Sequence, residues 1–134
     1  MAEATFTFGK DGTTMLGSTS SLDISVGPGK ESGPRSIDLL LLALGGCSIS
    51  TVGQYMRRKG LPAENLRLVL SSEVDEATNS YKEISVKVFV DDNVPEDQKQ
   101  IISTVAKACR IHKTLVSPPD IRIDVCLAED NEAV

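Results

Sequence analysis

The chain has 134 residues, 40% of them hydrophobic, which supports one compact core and leaves little room for a second, so a single domain over 1–134 is expected. Its net charge of −5 is the wrong sign for holding a phosphate backbone and argues against a nucleic-acid partner. The longest strongly apolar run, 39–44 extending weakly to 52, is short of the roughly 20 apolar residues of a membrane span. The opening MAEATFTFG has acid where a secretory leader has a basic region and an apolar core, so the expected setting is the cytoplasm, with no membrane partner. Three cysteines, an odd number, argue against a disulfide framework, and the one histidine, His112, leaves a single possible imidazole base.

Residues 5–8 alternate Thr and Phe and run into Gly9, Asp11 and Gly12, which predicts a strand entering a hairpin with its return over 13–17. Residues 21–26 alternate again, with Leu22, Ile24 and Val26 on one face. The Gly- and Pro-rich stretch 27–34 reads as a loop. Ser36 is a cap candidate for the helix that follows, Asp38 sits in its first turn, and Arg57, Arg58, Lys59 and Gly60 supply the cations and glycine of its end. The first half, IDLLLLALGG, is apolar on every side, so this helix is expected to be central and buried.

Residues 66–74 and 84–90 alternate apolar and polar side chains and form a predicted hairpin across 75–80. Pro95, Glu96 and Asp97 open a helix with Ile101, Ile102, Val105, Ala108 and Cys109 on one face, ending before Ser117, Pro118 and Pro119. Residues 121–127 read as a last strand and LAEDNEAV as an acidic tail. The fold class is therefore α+β, with an antiparallel sheet of about six strands and a long buried central helix. A sheet of that size covers only part of an all-apolar helix, so a homodimer is expected to share the burial.

Among candidate sites, GPGKES lacks the spacing of a phosphate-binding loop and puts Glu31 after Lys30. Cys109 and His112, three apart, would complete a Cys3His zinc set with Cys47 and Cys126, but no CxxC knuckle is present. Cys126 reads as a small hydrophobe and His112 as a surface or helix-end residue. Gly45 and Gly46 inside a helix cost about 1 kcal/mol each relative to alanine. Such glycines let another group approach closely, so Cys47 is expected to meet a distant segment, with Cys109 the best candidate partner.

The stretch GPRSIDLLLLALGGCSISTV over 33–52, the basic helix end, and KACRIHKTL over 107–115 resemble the OsmC/Ohr family of thiol-dependent peroxide-defence proteins. The resemblance implies an OsmC-like fold, an intertwined homodimer and cysteine-based reduction of small organic hydroperoxides in the response to oxidative stress. It implies Cys47 as the peroxidatic thiol, Cys109 as the resolving thiol, and an external dithiol or lipoyl-type reductant in place of a bound cofactor. Family members place an arginine and a carboxylate around the reactive thiol. Here GKDG has Lys10 where the family turn has arginine, Arg35 is the other candidate cation, and Asp38 takes the carboxylate position approximately. The alternatives are a redox sensor or small-molecule-binding protein on the same fold, the zinc protein, and a structural dimer with inert thiols.

Overall fold

The computed structural model describes residues 2–129; of the expected acidic tail, residues 130–134 lie outside them. The elements are β1 (Thr5–Phe8), β2 (Met15–Ser18), β3 (Asp23–Val26), α1 (Ser36–Arg58), β4 (Arg67–Asp75), β5 (Ser80–Phe89), α2 (Glu96–Ala106) and α3 (Arg110–Val116). A 3-10 turn, Lys30–Ser32, lies in the loop before α1. The chain divides into two compact units, one taking in residues up to Leu39 and those from Asp120 on, the other Leu40–Pro119.

In the first unit β1, β2 and β3 form an antiparallel meander, with Phe6 opposite Gly17 and Gly17 opposite Ile24. A Cβ on Gly17 would lie 2.5 Å from the exposed Phe6 ring, so any side chain there would displace that ring. The turn between β1 and β2 is closed by Asp11, whose carboxylate accepts from the Thr13 and Thr14 amides at 2.9 and 2.8 Å and from Thr14 Oγ1. After β3 the chain folds back so that the Gly27 amide donates to the Pro34 carbonyl at 3.0 Å. Gly33, at φ 104° and with Ser25 O where a Cβ would be, fits that return.

The second unit is built on α1. Its buried side chains from Leu44 on, Leu44, Ser48, Val52, Tyr55 and Met56, recur at helical spacing and form one stripe, with Gly53 buried beside it. Val52, Tyr55 and Met56 join Val94 and Ile102 in the core, with Leu61, Leu66, Val88, Val90 and Val105 packed against them. The Tyr55 hydroxyl donates to Gln98 Oε1 at 2.8 Å, which ties α1 to α2 without leaving a polar atom unsatisfied. Antiparallel β4 and β5 make a separate two-stranded sheet, with an irregularity between Glu73 and Val74. Leu70 of β4 reaches α1 at Gly45, where an added Cβ would lie 2.9 Å from Leu70 Cδ1. The expected close approach occurs at Gly45, while nothing lies within 4 Å of a Cβ placed on Gly46.

The α+β class holds, and four expectations are corrected. The strands number five among the described residues, in sheets of three and two, instead of about six in one sheet. Residues 121–127 join neither sheet, and Ile121, Ile123 and Val125 are exposed. Alternation marks a face but supplies no neighbouring backbone to pair with. The central helix is buried along one stripe only, since Leu42 is 72% exposed. Third, the expected single helix after β5 is two: the Lys107 and Ala108 amides turn back to Thr104 and Val105, and the chain restarts as α3. Finally, α1 has 23 residues and holds an 18-residue stretch long and apolar enough by composition to cross a membrane, more than the run 39–44 indicated, with 28% of that stretch buried.

Met56 is fully buried at the centre of this core. Met56→Ala is expected to lower the unfolding free energy by about 3 kcal/mol in urea titration, the usual cost of a large-to-small change that leaves a cavity. A loss below about 1 kcal/mol would contradict this packing.

Candidate functional site

On a helix, consecutive residues point about 100° apart. Ser48 lies on the core stripe of α1 and is only 3% exposed, while Cys47, one step round, sits at its edge, half-buried. The Cys47 carbonyl accepts from Thr51 Oγ1 at 2.9 Å, one turn along. Cys47 is thus placed by a helix whose register is fixed through the core.

Cys109 is placed by the break between α2 and α3. It has extended backbone angles, φ −69° and ψ 146°, and serves as the N-cap of α3, with its Sγ accepting from the His112 amide at 3.2 Å. Ser, Thr, Asp or Asn usually does this work, accepting an amide that the helix start leaves unpaired. Here a sulfur does it. The thiol is 2% exposed and lies 3.4 Å from Ser48 Oγ, a link between residues 61 apart in sequence.

Burial acts on the Cys109 thiol first and pushes its pKa up, because a thiolate is poorly solvated away from water. Hydrogen bonds from Ser48, the His112 amide, Cys47 and the Ile111 amide act the other way and together outweigh it, so the thiol lies below its ordinary value of 9.0. Cys47 adjoins Ser48, the residue of α1 whose hydroxyl bonds Cys109, and the Cys47 side chain is among the groups that lower the Cys109 pKa. Both cysteines are free thiols.

Beside Ser48 lies a groove of about 980 Å3 whose lining mixes apolar side chains, among them Leu44, Ile84 and Ile102, with charged ones such as Lys82, Asp91 and Lys99, and includes His112 of α3. His112 is half-buried, and its Nδ1 is buried without a hydrogen-bond partner. It is therefore part of the groove wall instead of a surface residue. Cys126 is exposed, which corrects its reading as a packed small hydrophobe. Among the described residues no three His, Cys, Asp or Glu side chains gather to hold a metal ion, so the Cys3His set is not assembled.

Arg35 and Asp38 lie in the first unit and engage each other. Asp38 Oδ2 accepts from Arg35 Nε at 3.1 Å and Oδ1 from Nη2 at 2.8 Å, a two-pronged carboxylate–guanidinium pair. Asp38 Oδ2 also accepts the Arg35 amide at 2.9 Å, while the Arg35 carbonyl accepts from the Asp38 and Leu39 amides. Arg35 is thus the residue at the helix entrance and Ser36 the first helical residue, which corrects the expected Ser36 cap. Asp38 supplies the reaching-back half of a capping box. Lys10 is exposed in the turn between β1 and β2.

The model of the family described as OsmC-like protein matches residues 27–124. The chain belongs to that family. Solved structures show the same fold at low identity. An OsmC-like protein from Mycoplasma pneumoniae aligns with a TM-score of 0.73 at 18% identity, over 88% of this chain and 89% of that one. A hypothetical protein from Aquifex aeolicus VF5 gives 0.73 at 21% identity, over 88% and 89%. The organic hydroperoxide resistance protein OhrB of Bacillus subtilis gives 0.60 at 16% identity, over 88% and 92%. No curated protein sequence matches the chain.

In this OsmC-like chain sequence reasoning passed over two groups that touch Cys109. Ser48 was detectable: a hydroxyl four residues after Leu44 and four before Val52 falls on the apolar stripe, where it needs a partner. The His112 amide was not, because the periodic run through Ala108 and Cys109 hides the helix break.

The Asp38 carboxyl is held below its ordinary 3.8, chiefly by the Arg35 side chain and then by the Arg35 amide. A depressed carboxylate pKa stabilises the fold above the unfolded-state value and loses that effect as pH falls through the folded one. Asp38→Asn is therefore expected to be less stable than the parent at pH 7, with the gap closing below pH 3.8. Urea midpoints across pH measure it; a gap that persists in acid would assign the effect to shape instead of charge.

Proposed function

We propose that this OsmC-like protein is a thiol-dependent peroxidase that reduces organic hydroperoxides with Cys47 and Cys109. The supporting observation is the placement of the two thiols: Cys47, half-buried and open enough to meet a substrate, adjoins Ser48, whose hydroxyl bonds the buried Cys109, a thiol held below its ordinary pKa. Cys47 thiolate attacks the O–O bond of ROOH. The sulfur takes the terminal oxygen as a sulfenic acid, and RO− leaves and is protonated to the alcohol. Cys109 thiolate then attacks the Cys47 sulfur, the S–S bond forms, and hydroxide leaves as water. An external dithiol, of lipoyl type, returns both sulfurs to thiols by exchange and is itself oxidised to its disulfide.

Part of the groove beside Ser48, Leu44 with Ile84, Val86 and Ile102, is apolar and suits the hydrocarbon body of an organic hydroperoxide. A homodimer belongs to the same reading. Leu42 and the alternating Ile121, Ile123 and Val125, the last 97% exposed, are apolar surface that a second copy would cover. Three free thiols suit a reducing compartment, the cytoplasm. Within this proposal the roles of Arg35, Asp38 and Lys10 rest on the sequence resemblance, and the redox chemistry is assigned to the two cysteines.

The test is to treat reduced protein with one equivalent of cumene hydroperoxide, block free thiols and map disulfides by peptide mass. A Cys47–Cys109 link is expected within seconds to minutes, absent in Cys47→Ser and reversed by a dithiol. Free thiols at both positions after that time would sink the proposal.

A further inference from the structure

Ser48 is the one buried polar residue among the described residues. Hydroxyls within a helix commonly bond back to the carbonyl four residues earlier, as Thr51, Thr104 and Thr114 do here. The hydrogen bond found for Ser48 Oγ goes instead across to Cys109 Sγ at 3.4 Å, with both residues all but closed to water. Either group can donate while Cys109 is a thiol. Once it is a thiolate only Ser48 has the proton, so the bond has one direction in the reactive state and is stronger there.

We propose that Ser48 is a positioning residue: its hydroxyl holds the Cys109 sulfur from α1, the helix that also bears Cys47, and donates to the thiolate that closes the disulfide. This rests on the peroxidase reading only for that closing step. There Cys109 thiolate attacks the sulfenic sulfur of Cys47, the S–S bond forms, the S–O bond breaks, and the hydroxide leaves as water. Ser48 keeps its proton throughout. The other groups acting on Cys109 are the Cys47 thiol from α1 and the His112 and Ile111 amides from α3. The charged and titratable side chains on the adjoining α3 are Arg110, His112 and Lys113, with Cys47 on α1, and none of them differs between the variants compared. The Ser48 bond ties Cys109, itself the cap of α3, to the helix that carries its target.

The first experiment uses no peroxide. In a Cys47→Ser background, the rate of Cys109 alkylation by iodoacetamide is followed against pH, with peptide mass separating Cys109 from Cys126. Adding Ser48→Ala is expected to raise the midpoint by about one pH unit, a roughly tenfold loss of thiolate near neutrality. Adding Ser48→Thr instead keeps the hydroxyl and should leave the midpoint near that of the background. Alanine is the better helix former, so the fold is expected to survive, which far-UV circular dichroism checks. An unchanged midpoint in the folded alanine variant overturns the proposal.

The second experiment keeps Cys47, adds one equivalent of cumene hydroperoxide and traps sulfenic acid with dimedone. Ser48→Ala is expected to lengthen the life of the Cys47 sulfenic acid about tenfold, following the lost thiolate. If the midpoint shifts but the parent forms no disulfide, the hold on Cys109 stands and the peroxidase reading fails. If the parent forms the disulfide and Ser48→Ala neither shifts the midpoint nor slows closure, the positioning role fails and the peroxidase reading stands.

Discussion

The site depends on a contact between a helix and a helix break. The buried stripe of α1 fixes that helix in rotation, because Val52, Tyr55 and Met56 can turn no other way without exposing apolar surface and opening the core. Fixing the rotation points Ser48 inward and leaves Cys47 at the stripe's edge. Cys109 is fixed independently, by the ending of α2 and its own service as cap to α3. The Ser48 to Cys109 bond joins these two placements.

That arrangement reconciles two demands that usually conflict. A thiol sheltered from solvent keeps a sharp geometry but resists ionisation, and an ionised thiol prefers water. Here neutral donors, the Ser48 hydroxyl and the His112 amide, stand in for water around Cys109, so shelter and a lowered thiol pKa coexist. The Arg35 and Asp38 pair has a local role of its own, closing the first turn of α1.

Much of the fold was legible. The strands near 5–8, 67–75 and 80–89 and the helix from Ser36 to Arg58 follow from alternation, helical spacing and Gly or Pro punctuation. The break at 107–109 was hidden because a sulfur caps α3, and no Ser, Thr, Asp or Asn announces the start. The strand expected over 121–127 has the right pattern but joins neither sheet. From sequence, Arg35 is a candidate cation for the reactive thiol and Asp38 an acid in the first helical turn; that they pair with each other is not legible there. Their exchange of backbone bonds needed coordinates.

By itself, the sequence determined the residue types of the chemistry, two cysteines in GGC and KACRIHKTL contexts, and an apolar helix with glycine beside the first. These are local matters of composition and spacing, readable one segment at a time. Only the tertiary structure decided that Ser48 faces Cys109, that Cys109 caps a new helix, and that its thiol is drawn below its ordinary pKa. The first is a contact between residues 61 apart and the second a local bond made only where α2 stops, and both exist only once the core has set the rotation of α1 and the end of α2.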